Sequence, residues 1–253
     1  MLASVAEQRR IESSILSGIT ADHRSNVLLS VGCAFGDELN DLLLGEPLKR
    51  RRLDITAIDL SPVGDEIFAQ PFVSQPNIHL EWHQLNIFDL PLLNKYGSFD
   101  VAQVGFVLHD IDCSDKEKAF KLLAQALRPY GQLILSDIFS DCRRAERHDP
   151  LRRQVEHIYD RFLEEANQAL RVGDLNEEEW LSLVGDGRTP GLKATRKEAI
   201  AGSRDFFESV EETSERLGNA GFVEVQVVTN PINSYLSVLS AQVKNGPPVE
   251  TKT

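Results

Sequence analysis

The sequence lacks most of the features that mark secreted, membrane-spanning or metal-binding proteins. Its 253 residues include three cysteines, Cys33, Cys113 and Cys142, and they show no C-x-x-C spacing. This pattern predicts neither a disulfide framework nor a zinc site, and it favours a reducing compartment. No apolar run approaches the roughly 20 residues that span a bilayer, and the first residues lack the apolar segment of a secretory signal. We therefore expect a cytoplasmic protein with no membrane partner and no bound metal.

Positive charge is also scarce in this chain. It has 27 Lys and Arg residues against 39 Asp and Glu residues, which gives a formal net charge of −12. Proteins bind nucleic-acid phosphates chiefly through Lys and Arg, so this balance argues against an extended nucleic-acid surface. The one basic cluster, Lys49–Arg52, is typical of a solvated helix end and loop.

The first half of the chain alternates between two hydrophobic patterns. After a polar, partly helical lead-in over residues 1–25, short apolar runs alternate with helical periodicity as far as Phe139. The clearest helix follows a capping box, Ser114-x-x-Glu117, and is expected to stop at Pro129 and Gly131. Strands that alternate with helices predict a doubly wound, mostly parallel sheet. The predicted strands are Val27–Val31, Ile55–Ile58, His79–Gln84, Val101–Phe106 and Gln132–Asp137.

The alternation stops after residue 140. Two helices, Leu151–Arg171 and Asn176–Val184, are predicted within a helical lid insert that covers about residues 140–205. A second capping box, Ser209-x-x-Glu212, begins the last helix. Two final strands, Phe222–Val228 and Ser234–Ser240, have so short a link that they are expected to pair antiparallel.

These patterns together predict a seven-stranded α/β sheet with an antiparallel terminal hairpin. We expect a single domain over residues 1–243, followed by a flexible tail over residues 244–253. The amphipathic stretch Leu151–Leu170 is a candidate face for a homodimer.

A glycine-containing turn near the N-terminus points to a nucleoside-containing ligand. In Val27–Glu38, VLLSVGCAFGDE, an apolar run stops at Gly32 and a helical pattern restarts after Gly36. About twenty residues later a second apolar run ends in Asp59, whose carboxylate is well placed to accept hydrogen bonds from ribose hydroxyls. The loop departs from the G-x-G-x-x-G pattern and contains no G-K-[ST], so a pyrophosphate or triphosphate ligand is disfavoured.

The order of the segments resembles that of the class I S-adenosylmethionine-dependent methyltransferases. The segments that carry the resemblance are VLLSVGCAFGDE, DITAIDLSP, HQLNIFDLP, FDVAQVGFVLHD and LRPYGQLILSDIF. The resemblance covers the chain from about Val27 to Ser240 and implies S-adenosyl-L-methionine as cofactor, with S-adenosyl-L-homocysteine as product. It also implies the antiparallel hairpin at the end of the sheet.

The resemblance assigns cofactor roles to particular positions. The methionine part of the cofactor would lie against the loop residues Gly32, Cys33, Ala34 and Gly36, and the ribose against the carboxylate of Asp59. The adenine would lie near Leu60, Asn86 and Ile87, and the amino-acid end beside Val104 and Gly105 of the fourth strand. Two positions depart from the family pattern, because Ser30 replaces an acidic residue and Ala34 replaces the middle glycine.

The candidate catalytic base is His109, directly after the fourth strand. A histidine at the carboxyl end of a strand lies where ligands bind in such sheets, and its ordinary pKa suits removal of a proton near neutral pH. Asp110 is expected to orient this histidine or to favour its charged form. The stretch His109–Asp112 resembles the H-D-W-x-D segment of small-molecule O-methyltransferases, with Ile111 in the place of the aromatic residue. A substrate-shaping or structural histidine is the competing interpretation.

Three alternatives accompany the prediction of a small-molecule O-methyltransferase. The layout of the insert and the C-terminal stretch is similar to that of bacterial carboxy-S-adenosylmethionine synthase, although no arginine for the additional carboxylate can be placed from the sequence. An N-methyltransferase would need less help from a base. A non-catalytic module that binds the cofactor is compatible with Ser30 and Ala34.

Overall fold

The computed structural model describes residues 2–19, 25–33, 52–62, 64–140, 150–185 and 207–244, together with Leu39, Leu43 and Leu192. A seven-stranded sheet, in the order β3-β2-β1-β4-β5-β7-β6, forms the centre of this part of the chain. Its strands are β1 (Ser25–Val31), β2 (Arg52–Asp59), β3 (Ile78–Gln84), β4 (Phe99–Gly105), β5 (Leu127–Ile138), β6 (Phe222–Thr229) and β7 (Leu236–Val243).

The strand directions confirm the predicted fold. Strands β1 to β5 pair in parallel, and β7 pairs antiparallel with both β5 and β6. The sheet is therefore doubly wound and mostly parallel, with the antiparallel hairpin at one edge. The accompanying helices are α1 (Ala3–Ile19), α2 (Gly64–Phe68), α3 (Cys113–Ala126), α4 (Pro150–Val172), α5 (Glu177–Val184) and α6 (Val210–Asn219). Short 3₁₀ turns cover Pro71–Ser74, Ile87–Leu93 and Leu108–Asp110.

Both faces of the sheet are covered, which explains why its central strands read as continuous apolar runs. All seven residues of β4 are buried. On one face, β-strand side chains pack with Phe120 of α3 and Leu217 of α6. On the other face, they pack with Ile11 and Leu16 of α1. Burial of apolar surface on both sides is the main force that holds a parallel sheet together.

The start of α3 differs from the prediction. Asp112, rather than Ser114, is the N-cap: its Oδ1 accepts hydrogen bonds from the Ser114 backbone N–H at 2.8 Å and from the Ser114 hydroxyl at 2.7 Å. A carboxylate is a strong acceptor next to the positive end of the helix dipole, so the helix begins two residues earlier than a Ser114 cap predicts.

The end of α3 and the start of β5 also differ from the prediction. The helix ends at Ala126, and β5 begins at Leu127 and continues through Pro129. Leu127 pairs with Phe99, and the pairing resumes five residues later on β5 with Gln132 opposite Val101. Tyr130 has a positive φ of 63° in the intervening stretch. Proline is tolerated here because the ladder is interrupted by this irregularity.

The later elements follow the prediction where the structure describes them. The capping box of Ser209 and Glu212 is present at the start of α6, and α4 and α5 lie within two residues of the predicted helices. The remainder of the predicted lid insert lies outside the described residues, as do residues 245–253 of the predicted tail. The division into one domain stays a prediction.

The apolar stripe of α4 is used within the chain itself. Its residues Val155, Ile158, Phe162 and Ala166 are buried in a cluster that also contains Tyr235. The stripe that suggested a homodimer face is therefore already covered by the chain's own residues.

Candidate functional site

A cavity of about 900 Å³ lies at the carboxyl ends of β1 to β4. It opens where the strand order reverses, between β1 and β4, which is the usual ligand position in open α/β sheets. Its volume lies in the range of small-molecule and cofactor sites. Of the predicted site residues, eight lie in its wall: Gly32, Cys33, Asp59, Leu60, Asn86, Ile87, Gly105 and Asp110.

Gly32 is the position at which the cavity most clearly requires glycine. It has a φ of +75°, and its N–H donates to the carbonyl oxygen of Ile58 at 3.0 Å. A Cβ at this position would lie 2.0 Å from Cγ2 of Val107 and 2.9 Å from the carbonyl oxygen of Gly105. The chain segments that follow β1 and β4 therefore meet closely at the floor of the cavity, and a side chain at Gly32 would fill that contact.

The carboxylate predicted to bind ribose lies at the end of β2. Asp59 Oδ1 accepts a hydrogen bond from the backbone N–H of Ser61 at 2.8 Å, and this contact fixes the side chain beside the cavity. Leu60 is 67% exposed, so its side chain offers an apolar surface at the rim. The fixed carboxylate can accept hydrogen bonds from ribose hydroxyls, and the exposed apolar side chain beside it can pack against the adjoining base.

Asn86 and Ile87 form the opposite part of the adenine-side wall. The Asn86 side-chain oxygen accepts from the Phe88 N–H at 3.0 Å, and the Asn86 N–H donates to Asp89 Oδ2 at 3.3 Å. Asn86 is thus the N-cap of the turn Ile87–Leu93. Because its oxygen is engaged in the cap, the side-chain amide N–H₂ is the group of Asn86 that suits a base edge.

The two residues predicted at the end of β4 have different surroundings. Gly105 lies in the cavity wall, whereas Val104 is fully buried in the core beneath it. Phe106, the next wall residue, has a positive φ of 52° and donates its N–H to the carbonyl oxygen of Ser136 at 2.8 Å. A bulky residue in the left-handed region is strained, and such strain is found most often at ligand sites.

The glycine loop is described only in its first part. Cys33 is 1% exposed, and its thiol donates to the carbonyl oxygen of Ile58, with Sγ and O 3.7 Å apart. The predicted loop residues Ala34 and Gly36 lie outside the described residues.

His109 forms a hydrogen-bonded pair with a residue that the sequence did not single out. Its Nδ1 lies 2.7 Å from Oδ1 of Asp137, at the end of β5, and the carboxylate also accepts from the backbone N–H groups of Leu108, at 2.6 Å, and Ile138, at 2.7 Å. Asp110, the residue suggested for this role, instead lies with Oδ2 3.8 Å from Nε2. Asp137 therefore orients the ring, because an ionised carboxylate can only accept and Nδ1 must donate.

The location of Nε2 follows from its neighbours. Asp110 lies in the cavity wall, and its Oδ2 is 3.8 Å from Nε2, so Nε2 lies beside a residue of that wall. His109 itself is not a wall residue, and its side chain is 14% exposed. Phe207, which follows the insert, packs on the ring with centroids 6.1 Å apart and planes at 29°. A neutral histidine in this arrangement carries its lone pair on Nε2, where it can accept a proton.

Buried charges continue behind this pair. Asp137 is 1% exposed, and Lys116 of α3 is 2% exposed. Burial raises the pKa of Asp137, but the charge of His109, its hydrogen bond, the Ile138 N–H and the Lys116 charge together hold the pKa below its ordinary value. Burial lowers the pKa of Lys116, against the opposing charge of Glu208. Glu208 accepts two hydrogen bonds from Arg216 Nε, at 3.0 and 3.1 Å.

No described helix is long and apolar enough to cross a membrane. The described part of the chain also brings no three His, Cys, Asp or Glu side chains together in a metal-binding group.

One segment of the chain matches a family model. Residues 29–135, from the last residues of β1 through most of β5, match the methyltransferase domain family. The seven-stranded sheet that contains this segment has the class I methyltransferase fold. The cavity residues Gly32, Asp59, Asn86 and Gly105 all lie within the matched segment, as does His109. The match agrees with the predicted methyltransferase resemblance of this segment and the predicted fold is confirmed; S-adenosylmethionine is the cofactor that this class of proteins uses.

Three solved proteins with this fold are named for methylation of three different atoms, carbon, nitrogen and oxygen. The CurJ carbon methyltransferase is 14% identical, with a TM-score of 0.57, and covers 94% of this chain and 54% of its own. The 1,6-didemethyltoxoflavin-N1-methyltransferase of Burkholderia thailandensis, with its substrate and S-adenosylhomocysteine bound, is 17% identical, with a TM-score of 0.55 and coverages of 94% and 79%. An O-methyltransferase family protein of the same organism is 13% identical, with a TM-score of 0.57 and coverages of 94% and 57%.

These similarities show the fold. They do not identify the methyl acceptor. The chain spans 54% and 57% of the length of two of the three structures. No curated protein sequence matches the chain.

Proposed function

We propose that this chain transfers the methyl group of S-adenosylmethionine to a hydroxyl oxygen of a small molecule. The observation that carries the proposal is the His109–Asp137 pair, with Nδ1 and Oδ1 2.7 Å apart at the edge of the cavity. Methylation of a hydroxyl group needs a base for the departing proton, and a histidine held in one tautomer by a buried carboxylate meets that need. Amines and activated carbons have less need of such a pair.

The residues of the cavity fit this cofactor. Gly32 leaves room at the floor, where a Cβ would lie 2.0 Å from Val107, and Asp59 supplies an acceptor for ribose hydroxyls. Asn86 and Ile87 would flank the adenine, and Gly105 would lie beside the amino-acid end. The described wall includes four aspartates, Asp59, Asp110, Asp112 and Asp115, which favour a ligand that carries a positive sulfonium. When bound, the cofactor supplies an electrophilic methyl group for direct displacement.

The mechanism assigns a separate task to each protein group. Asp137 accepts the Nδ1–H of His109 and so keeps the Nε2 lone pair directed to the cavity side. His109 removes the hydroxyl proton as the acceptor oxygen attacks, and the ionised Asp137 stabilises the imidazolium that results. Phe207 restricts the ring on its face. Alignment of the oxygen with the methyl group is the task of the cavity walls and of the insert.

An N-methyltransferase is the second candidate. The aspartates Asp110, Asp112 and Asp115 lie on the His109 side of the cavity wall, and they would attract an acceptor that carries a protonated amine. In that case His109 or one of these carboxylates would take up the ammonium proton before transfer. The choice between the two candidates depends on the acceptor atom alone.

A transfer assay with paired acceptors tests the proposal. The protein is incubated with S-adenosylmethionine that carries an isotopically labelled methyl group and with phenol and aniline analogues matched in ring and substituents. Labelled products from the phenols, and loss of at least about 100-fold in turnover by His109→Gln, are expected. Products from the anilines alone would favour the amine candidate. S-adenosylhomocysteine binding without methyl loss over the panel would favour a non-catalytic module, and a product with an additional carboxyl mass would indicate a carboxy-S-adenosylmethionine synthase.

A further inference from the structure

Helix α1 carries an unusual buried polar stripe. Ser4, Gln8 and Glu12 recur every four residues, lie on one face of the helix, and are fully buried. Polar side chains are buried at a cost unless their hydrogen bonds are made within the protein. Such a stripe fixes the position of a helix more closely than an apolar stripe would, because each polar group must meet a particular partner.

The partners of this stripe lie near the carboxyl ends of β4 and β5 and at the adjacent amino end of the antiparallel β7. Gln8 Nε2 donates to the Ser136 hydroxyl at 3.0 Å and to the Ser237 carbonyl oxygen at 2.7 Å. Glu12 Oε2 accepts from Gln103 Nε2 at 3.3 Å. The N-terminal helix is thereby attached to β4, β5 and β7 at the level of the site.

The same network includes the position at which the β1 motif departs from the family pattern. Ser30, which replaces an acidic residue, donates its hydroxyl to Gln103 Oε1 at 2.8 Å, and Gln103 in turn donates to Glu12. A carboxylate is thus present near this position after all, but it comes from α1 and not from β1.

Arg9 extends from this fixed helix into the cavity wall. Among the described wall residues it is the one cationic side chain, against four aspartates. Its neighbour Gln8 bonds Ser136, which pairs in register with Gly105, so Arg9 lies at the β4 end of the cavity. Asp59 lies at the end of β2, and β1 lies between β2 and β4. Two strand spacings, about 10 Å, therefore separate the two ends of the cavity.

We propose that Arg9 binds the carboxylate at the amino-acid end of the cofactor, while Asp59 binds the ribose at the opposite end. This inference rests on the proposed function, since it assumes that the cavity holds an adenosyl amino acid. A guanidinium group can donate two parallel hydrogen bonds to a carboxylate, so it fixes both the position and the orientation of that end of the ligand. The other charged side chains of the described wall are aspartates, which would repel the cofactor carboxylate. Arg9 is therefore the charged wall residue to which that carboxylate would bind.

Two ligands that differ only in the amino-acid end test the inference. S-adenosylhomocysteine has this end, and 5′-methylthioadenosine keeps the adenosine and the thioether without it. Each is titrated calorimetrically into wild type, Arg9→Met and a control, Arg10→Met, whose residue is exposed and pairs with Glu7. We expect Arg9→Met to weaken S-adenosylhomocysteine binding on the order of 10- to 100-fold. Binding of 5′-methylthioadenosine should stay within about twofold, and Arg10→Met should change neither ligand.

Other outcomes would overturn the inference in distinguishable ways. If wild type binds both ligands and Arg9→Met weakens both equally, Arg9 acts on the fold or on adenosine. If Arg9→Met weakens neither ligand but raises the KM of an acidic acceptor, the carboxylate that it recognises belongs to the acceptor. If wild type binds neither ligand, the proposed function fails and this inference fails with it.

Discussion

The ring of His109 and the carboxylate of Asp137 are joined by a hydrogen bond of 2.7 Å between residues 28 positions apart in the sequence. The pair is assembled by the sheet, because His109 lies in the turn that follows the end of β4 at Gly105, and Asp137 is the last residue but one of β5. Adjacent parallel strands bring their carboxyl ends together, so two segments far apart in the sequence supply one functional unit.

The first prediction separates the two aspartates near His109. Asp137→Asn removes the negative charge that stabilises the imidazolium and replaces one acceptor oxygen by an N–H₂ donor, so we expect kcat to fall roughly 100-fold. Asp110→Asn, whose carboxylate lies 3.8 Å from Nε2, should change kcat by less than about fivefold. Steady-state kinetics on the acceptor found in the transfer assay provides the measurement. A larger loss in Asp110→Asn than in Asp137→Asn would contradict the assignment.

The second prediction concerns the ribose carboxylate. Asp59→Asn should weaken S-adenosylhomocysteine and 5′-methylthioadenosine alike, by about 10-fold or more, because both ligands contain the ribose. Asp54→Asn on the same strand is the matched control, since Asp54 pairs with Arg52 outside the cavity wall. Calorimetric titration gives both affinities. Unchanged binding in Asp59→Asn would place the ribose elsewhere.

The third prediction compares two glycines with positive φ. Gly32→Ala should reduce the free energy of unfolding by about 3 kcal/mol or more, because backbone strain adds to a clash with Val107 at 2.0 Å. Gly97→Ala meets no atom within 4 Å at a φ of +60°, so strain alone should cost about 1 to 2 kcal/mol. Urea unfolding measures both variants. Equal losses would mean that the close contact at the cavity floor contributes nothing.

The fourth prediction concerns the buried lysine. Lys116→Met leaves Asp137 and Glu208 with less compensating charge, and we expect a loss of about 3 kcal/mol in the free energy of unfolding. Lys121→Met, on the same helix, removes an exposed cation that pairs with Glu117 and should cost at most about 0.5 kcal/mol. A Lys116→Met variant as stable as wild type would show that the buried charges tolerate its absence.

The fifth prediction follows from the lowered pKa of Asp137. A carboxyl group whose pKa is lower in the folded state stabilises the fold above its unfolded pKa, about 3.9, and that contribution is lost as the pH falls through the folded value. The stability difference between wild type and Asp137→Asn should therefore shrink as the pH falls below about 3.9. Urea unfolding at a series of pH values measures it. A difference that does not depend on pH would contradict the ionised carboxylate.

The cavity residues within local motifs could be predicted from the sequence. Gly32 and Asp59 each mark the end of an apolar run, and the length and the end of a buried parallel strand can be predicted from such a run. Both residues lie where the chain leaves the sheet, so their position follows from the local pattern alone. The end of the apolar run of β4 likewise predicted the position of His109, which follows that strand.

Asp137 and Arg9 could not be assigned in the same way, because their roles depend on which elements meet in space. Asp137 was visible as the end of a predicted strand, and its place at the shared edge was the available signal. Arg9 lies in a stretch that reads as a polar lead-in, since three of the residues that α1 buries there, Ser4, Gln8 and Glu12, are polar. Only the tertiary hydrogen bonds of that helix show that it reaches the site.

The capping errors have a similar cause. Ser114 and Glu117 have the spacing of a capping box, but Asp112, two residues earlier, accepts from the Ser114 N–H and forms the cap. Sequence spacing does not decide between two adjacent candidates, and the outcome depends on where the chain leaves β4 and the turn Leu108–Asp110.

The measurement that tests the central claim most directly is a calorimetric titration of the purified protein with S-adenosylmethionine, S-adenosylhomocysteine and NAD. Any ligand that copurifies is first removed and identified by mass spectrometry. The account predicts micromolar binding of the two adenosyl amino acids and no binding of NAD, since the loop at Gly32 lacks the glycine pattern of a pyrophosphate site. Absence of binding by both adenosyl ligands would contradict the assignment of the cavity.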